Sequence, residues 1–269
     1  MLRQTGIAAA LFGGTIMTAG PAMAQDDGPR NCPDRPGLGS STCSTEPGRL
    51  SVEIGIGGWT IDKTDDARSD SVSVGDSFLR YGVDDKTEVQ LGFTAYTHNY
   101  ERTGDVISED GGFSDIRLGV RRNLLGNDGG DVALAVEPYV TLPVGDNSVS
   151  ADDWSAGVVV PASFSLGSGF GLGATSIAAA SVDADGDGRH FSATEYLGIA
   201  HAVGQNLSAT AELGLTYDDD PSGDSWAPVA SISVGWTPRG LLQLDAGTVV
   251  GLDDDSPDVQ VYIGISKLF

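Results

Sequence analysis

The sequence predicts an all-β fold, a closed antiparallel transmembrane β-barrel of about 12 strands. Three observations carry that expectation. The last nine residues, Val261-Tyr-Ile-Gly-Ile-Ser-Lys-Leu-Phe269, alternate apolar with small or polar side chains and stop on an aromatic, as a closing barrel strand does. Segments of the same period recur from Gly48 onward, each near the length a tilted strand needs to cross a bilayer. The connections between them alternate short and long, as periplasmic turns and extracellular loops do. A soluble protein rarely ends on an amphipathic strand, because that edge would be left open; in a barrel the last strand pairs with the first.

Taken in order, the chain opens with a secretory signal over 1–24. Met1-Leu-Arg-Gln is a short basic start, residues 7–19 are apolar, and Ala22-Met-Ala24 is a cleavage pattern. Residues 25–47 form a Pro/Gly/Ser-rich leader expected in the periplasm. It holds the two cysteines, Cys32 and Cys43, and an exported protein meets an oxidising compartment, so the pair is expected to form a disulfide that stiffens the leader.

Residues 48–269 are the barrel. Strands are expected at 48–60, 71–83, 86–98, 112–124, 131–143, 153–166, 170–182, 190–202, 206–217, 225–237, 240–251 and 258–269. In the first, Leu50, Val52, Ile54 and Ile56 oppose Ser51, Glu53, Gly55 and Gly57; in the ninth, Leu207, Ala209, Ala211, Leu213 and Leu215 oppose Ser208, Thr210, Glu212, Gly214 and Thr216. The apolar face meets lipid and the other lines the lumen. Residues 154–182 lack charge over a length that fits a transmembrane helix, but Pro161, many glycines and the period of two make them two strands joined at Gly167-Ser-Gly169. The second strand changes phase near Gly75-Asp76, which predicts a bulge. In the eighth, Glu195 shares the lipid-facing phase of Leu197 and Ile199, a costly position that a bulge or another phase would relieve. Trp59, Trp154, Tyr217 and Trp226 fall at the long-loop ends of strands, and Tyr81, Phe164, Phe170, Trp236 and Phe269 at the short-turn ends, as two interfacial girdles.

The net charge of -23 excludes nucleic acid as a partner, since that needs basic surface. The expected partners are membrane lipid and lipopolysaccharide, a small-molecule cargo and the outer-membrane assembly machinery.

Three segments carry a family resemblance. The run Phe78-Leu-Arg-Tyr-Gly-Val-Asp-Asp-Lys-Thr-Glu-Val-Gln-Leu-Gly92 resembles the strand–turn–strand of an outer-membrane transporter family named for the meta-pathway of phenol degradation. Gly112-Phe-Ser-Asp115-Ile-Arg-Leu-Gly119-Val-Arg121 is similar to its G-x-x-D-x-x-L-G-x-[KR] segment, and Pro138-Tyr-Val-Thr-Leu-Pro-Val-Gly145 to its P-x-x-x-L-P-x-G segment. The resemblance implies an outer-membrane barrel that passes hydrophobic or aromatic compounds.

The inward phase places Glu53, Glu88, Asp115, Arg117, Arg121, Glu137 and Glu212, with Arg80 as a further candidate, in the lumen. Charges facing a narrow interior are normally paired, so an Arg–carboxylate ladder is expected that sets ion selectivity or braces the wall. Asp183-Ala-Asp185-Gly-Asp187-Gly188 matches the start of a calcium loop, which makes weak Ca2+ binding by Asp183, Asp185 and Asp187 an expectation; the position-twelve glutamate is missing, with Thr194 there instead. No other cofactor is expected. His98, His190 and His201 fall in no nucleophile-elbow or metal-spacing motif, so catalysis is not expected. The reading is a channel of the cell outer membrane for passive passage of small molecules, hydrophobic or aromatic in character. Its rivals are a structural or adhesive barrel with a plugged lumen and a lipid-modifying enzyme.

Overall fold

The computed structural model describes residues 29–64, 66–127 and 130–269; the signal segment expected over 1–24 lies outside the described residues. The chain from Gly48 onward is all strand and connection: β1 (Leu50–Lys63), β2 (Ala67–Asp84), β3 (Thr87–Thr103), β4 (Val106–Gly112), β5 (Ile116–Leu125), β6 (Val132–Leu142), β7 (Ser155–Gly167), β8 (Phe170–Val182), β9 (Arg189–Ala202), β10 (Leu207–Asp220), β11 (Gly223–Arg239), β12 (Leu242–Gly251) and β13 (Val259–Leu268). Neighbours pair antiparallel around the whole circuit. Closure is between β1 and β13, from Ser51↔Leu268 to Ile61↔Val259. The Phe269 amide donates to the Leu50 carbonyl at 2.8 Å, so the terminal residue belongs to the seam.

Twelve strands make the barrel and β4 is the addition. The segment at 99–111, expected as a loop, continues β3 upward and returns as β4, from Thr97↔Gly112 to Thr103↔Val106. The lower half of β3 pairs with β5 instead, from Thr87↔Arg122 to Gly92↔Arg117. The strand expected at 112–124 is therefore broken at 113–115. Strands also run into the expected loops at 62–70 and 218–224, so that β2 alone reaches 18 residues.

The barrel is inverted relative to a soluble core. Ser51, Glu53, Arg80, Glu88, Arg121, Glu137 and Ser266 are buried, while Ile56, Leu197, Leu213, Ile232 and Ile263 are exposed on the outer face. Alternation along each strand produces this, since successive side chains point to opposite faces. The phase of β2 changes at Gly75 as expected, with Val74 exposed and Asp76 facing Arg35, but no bulge accompanies it: Val74 pairs with Tyr96 and Asp76 with Thr94, one residue opposite one, Gly75 takes φ 69°, and the register shift of β2 against β3 lies between Gly82 and Asp84 instead. Glu195 has no such relief. Pairing of β9 with β8 and β10 is continuous, so Glu195 stays on the outer face, where the Ser176 hydroxyl donates to it at 2.8 Å. The predicted girdle rings Trp59, Tyr81, Trp154, Phe164, Phe170, Trp226, Trp236 and Phe269 are all exposed.

If the outer face meets lipid, Leu213→Arg at mid-strand should cost about 2–4 kcal/mol, and Leu207→Arg at the short-turn end about 0–1 kcal/mol. Urea unfolding in lipid vesicles, followed by tryptophan fluorescence, measures both. Equal costs would place the face outside the bilayer.

Candidate functional site in the barrel lumen

The leader is inside the barrel. Residues 32–37, 39, 41, 42, 44 and 45 are buried, so the segment expected as a periplasmic leader enters the lumen. The expected disulfide Cys32–Cys43 is formed and closes this segment into a loop. The physical reason lies in the wall. Many inward positions are charged or small, including Gly119, Ala133, Ala135, Gly173, Gly198 and Gly264, and a wall so built leaves room in a lumen of this girth. Gly264 shows the fit: a Cβ there would run into the Arg35 guanidinium.

The leader follows the wall almost once around. The Asp34 and Arg35 amides donate to Glu53 on β1 (2.9 Å each to Oε2). The Arg35 guanidinium binds Asp245 on β12 (Nη2–Oδ1 2.8 Å) and lies over the Tyr262 ring on β13. The Leu38 and Gly39 amides donate to Glu212 on β10 (3.0 and 3.3 Å), and the Ser40 amide donates to Thr175 Oγ1 on β8 (2.9 Å). The Asn123 side chain on β5 donates to the Thr42 carbonyl (2.7 Å), and the Thr45 amide donates to Glu88 on β3 (2.6 Å).

Two guanidiniums hold the centre. Arg80 reaches Glu88 (Nε–Oε1 2.8 Å) and Glu53 (Nη1–Oε1 2.9 Å) and donates to the Cys32 carbonyl. Arg121 reaches Glu137 (Nε–Oε2 2.9 Å) and Asp34 (Nη2–Oδ2 2.6 Å) and donates to the Cys43 carbonyl. Both are 0% exposed. Arg117 binds Glu137 (2.9 Å) from a partly open position, its guanidinium 3.6 Å from the Tyr139 ring centroid. The four carboxylates Asp34, Glu53, Glu88 and Glu137 thus meet three guanidiniums, and leader amides supply further donors. Buried charges persist on such terms, because removing any one partner leaves the others uncompensated.

The structure therefore gathers Glu53, Glu88, Arg117, Arg121 and Glu137 into one network and sets Glu212 apart as a leader anchor. Asp115 is not a lumen charge. It accepts from the Gly145 and Ala151 amides and the Ser150 hydroxyl, and so braces the β6–β7 connection. Its residue sits just before β5, where the strand break turns it toward that loop. The residues that sequence reasoning missed are Asp34, Arg35 and Asp245. Two lie in a leader that carried no strand pattern, and their only signal was charge in an otherwise small-residue segment.

At the segment 183–188 the Asp183 carbonyl accepts from the Gly186 amide in a tight turn, and the Asp187 amide donates to the Asp185 side chain; of these three aspartates, Asp183 alone joins a group of converging ligand atoms among the described residues. Asp185 and Asp187 are exposed, and Thr194 bonds Thr216 across β9–β10. The histidines also stand apart. Among the described residues, only His190 joins a group whose ligand atoms converge, and His201 stacks on Phe170 at the short-turn end.

The family model described as "Putative MetA-pathway of phenol degradation" matches residues 33–269. An outer membrane channel from Pseudomonas putida F1 has a similar structure, 16% identical, with 84% of this chain and 97% of that one covered and a TM-score of 0.66. The NanC porin is 12% identical, with 81% and 98% covered and a TM-score of 0.52. At these identities the likeness is one of fold, that of outer-membrane barrels. No curated protein sequence matches the chain.

Arg121→Ala strands three buried carboxylates and should destabilise the barrel by about 3–5 kcal/mol. Arg117→Ala removes a half-open cation with one ion-pair partner and should cost clearly less. Urea midpoints in detergent micelles measure the difference, and equal midpoints would contradict the network as described.

Proposed function

The chain belongs to the phenol-degradation family that this model describes, and we propose that it is an outer-membrane channel for passive passage of small molecules, closed at the short-turn end by its own leader. One observation carries the reading. The lumen is filled by a segment that is not part of the wall, and much of the wall beneath it is lined by small and polar residues. A barrel built only as scaffold would be filled by bulky side chains of its own strands. Here a leader held by ion pairs and amide bonds, with little apolar packing, occupies a path that exists without it.

The cargo class suggested by the family description is small aromatic compounds. Ring substituents such as hydroxyl or carboxylate match the hydrogen-bonding inner wall of Ser51, Thr60, Thr175, Thr210 and Ser233. Arg117, partly open beside the leader, is the candidate for ion preference. The reading assigns no reaction to the chain; turnover of phospholipid or lipopolysaccharide by the purified barrel would favour the enzyme alternative instead.

Deleting residues 30–45 should raise single-channel conductance in planar bilayers several-fold over the intact chain, and Arg117→Ala in that background should shift ion preference toward cations. An unchanged, near-zero current after deletion would favour the structural or adhesive barrel.

A further inference from the structure

We propose that the long-loop rim carries a divalent transition-metal site made by Asp183, His190 and Asp220, with Asp218 supporting the histidine. The placement follows from register. His190 is the second residue of β9 and pairs with Ser181 at the top of β8, two residues before Asp183. Ser192 pairs with Asp218 on β10, so Asp220 continues the same ladder to the level of His190. Three adjacent strand ends thereby deliver four side chains to one point on the inner rim.

The donor set is more than an acidic cluster. The His190 side chain is 6% exposed and sits among three carboxylates. Its Nδ1 lies 3.0 Å from Asp183 Oδ1 and 3.3 Å from Asp220 Oδ2. Ligand atoms on arms of about 2.1 Å at tetrahedral angles are about 3.4 Å apart, so these separations, the first of them a hydrogen bond in this structure, fit two edges of a coordination polyhedron that meet at Nδ1. On the far side of the ring, Nε2 lies 2.7 Å from Asp218 Oδ1 without a well-aligned hydrogen bond. A carboxylate behind the second ring nitrogen is the arrangement that orients a metal-bound histidine.

The surroundings hold the carboxylates in place and leave room. The Ala184 and Ser222 amides donate to Asp220 Oδ2 and Oδ1 at 2.8 and 2.7 Å, fixing that carboxylate from two loops. Gly188 takes φ 118°, and a Cβ there would lie 2.5 Å from Asp183 Oδ2. A cavity of about 200 Å³, lined by Asp183, Ala184, Asp185, Asp220, Pro221 and Ser222, adjoins the cluster and offers space for water to complete a coordination shell. One imidazole with two carboxylates suits Zn2+ and its first-row neighbours better than Ca2+, which takes six to eight oxygens. A bound ion would clip the β8–β9 connection to the adjacent β10–β11 hairpin along the barrel rim.

The test is calorimetry on the full chain folded in detergent, stripped with chelator and titrated with ZnCl2 in a millimolar background of Mg2+. One saturable equivalent is expected, with affinity reduced about tenfold or more in His190→Gln and in Asp220→Asn, and by a smaller factor in Asp218→Asn. Asp187→Asn should leave it unchanged. Heat-modifiable mobility on gels verifies that each variant is folded, and the d–d spectrum of a Co2+ complex of the unmodified chain reports imidazole ligation without any variant. Absence of saturable Zn2+ binding, or equal affinity in folded His190→Gln, would overturn the site.

Discussion

Backbone amides and carbonyls have no partner in hydrocarbon, and an open sheet edge there is prohibitively costly. This chain answers with the seam between β1 and β13, in which even Phe269 takes part through its amide bond to Leu50. Everything else follows from closing the sheet. Closure sets the strand count, the inward and outward phases, and an interior whose girth is larger than its own inward side chains occupy. The apolar face outside needs no partner but lipid; the inner face needs both volume and counter-charge.

The leader supplies both. Its backbone fills space that glycine and alanine on the wall leave free, its Arg35 supplies the counter-charge for Asp245 of β12, and its Asp34 joins Arg121 and Arg80 at the centre. The pairing is mutual: Arg80 and Arg121 each bind carboxylates from the wall and carbonyls from the disulfide-closed loop. In a medium of low dielectric such bonds are strong when complete and costly when broken. The leader is thus anchored by directional polar contacts at eight strands, β1, β2, β3, β5, β7, β8, β10 and β12, a mode of attachment that water could replace at each point if the segment withdrew. That is the physical basis for treating closure as a property of the leader and not of the wall.

Much of the barrel was legible because lipid on one side and water or polar atoms on the other enforce a period of two. The lumen charges Glu53, Glu88, Arg121 and Glu137 could be read from phase alone, as could the change of phase at Gly75. What could not be read has local causes. The leader has no period, so nothing in it distinguished a plug from a tether; only the smallness of the opposing wall positions hinted at a guest. Asp115 lies one residue outside its strand, where phase ceases to determine direction. The continuation of β3 into β4 carries polar side chains on both faces, since it stands above the membrane, and polar hairpins and loops look alike in sequence. His190 and Asp220 are brought together by register across two hairpins, which a linear motif search at 183–188 does not capture.

Hydrogen exchange by NMR on the folded chain in micelles tests the central claim most directly. The amides of Asp34, Leu38, Gly39 and Thr45 donate to wall carboxylates. They should therefore exchange as slowly as amides in the middle of β1 and β10. Exchange at the rate of an unstructured peptide, with the wall amides still protected, would show an empty barrel with a free leader and contradict the account.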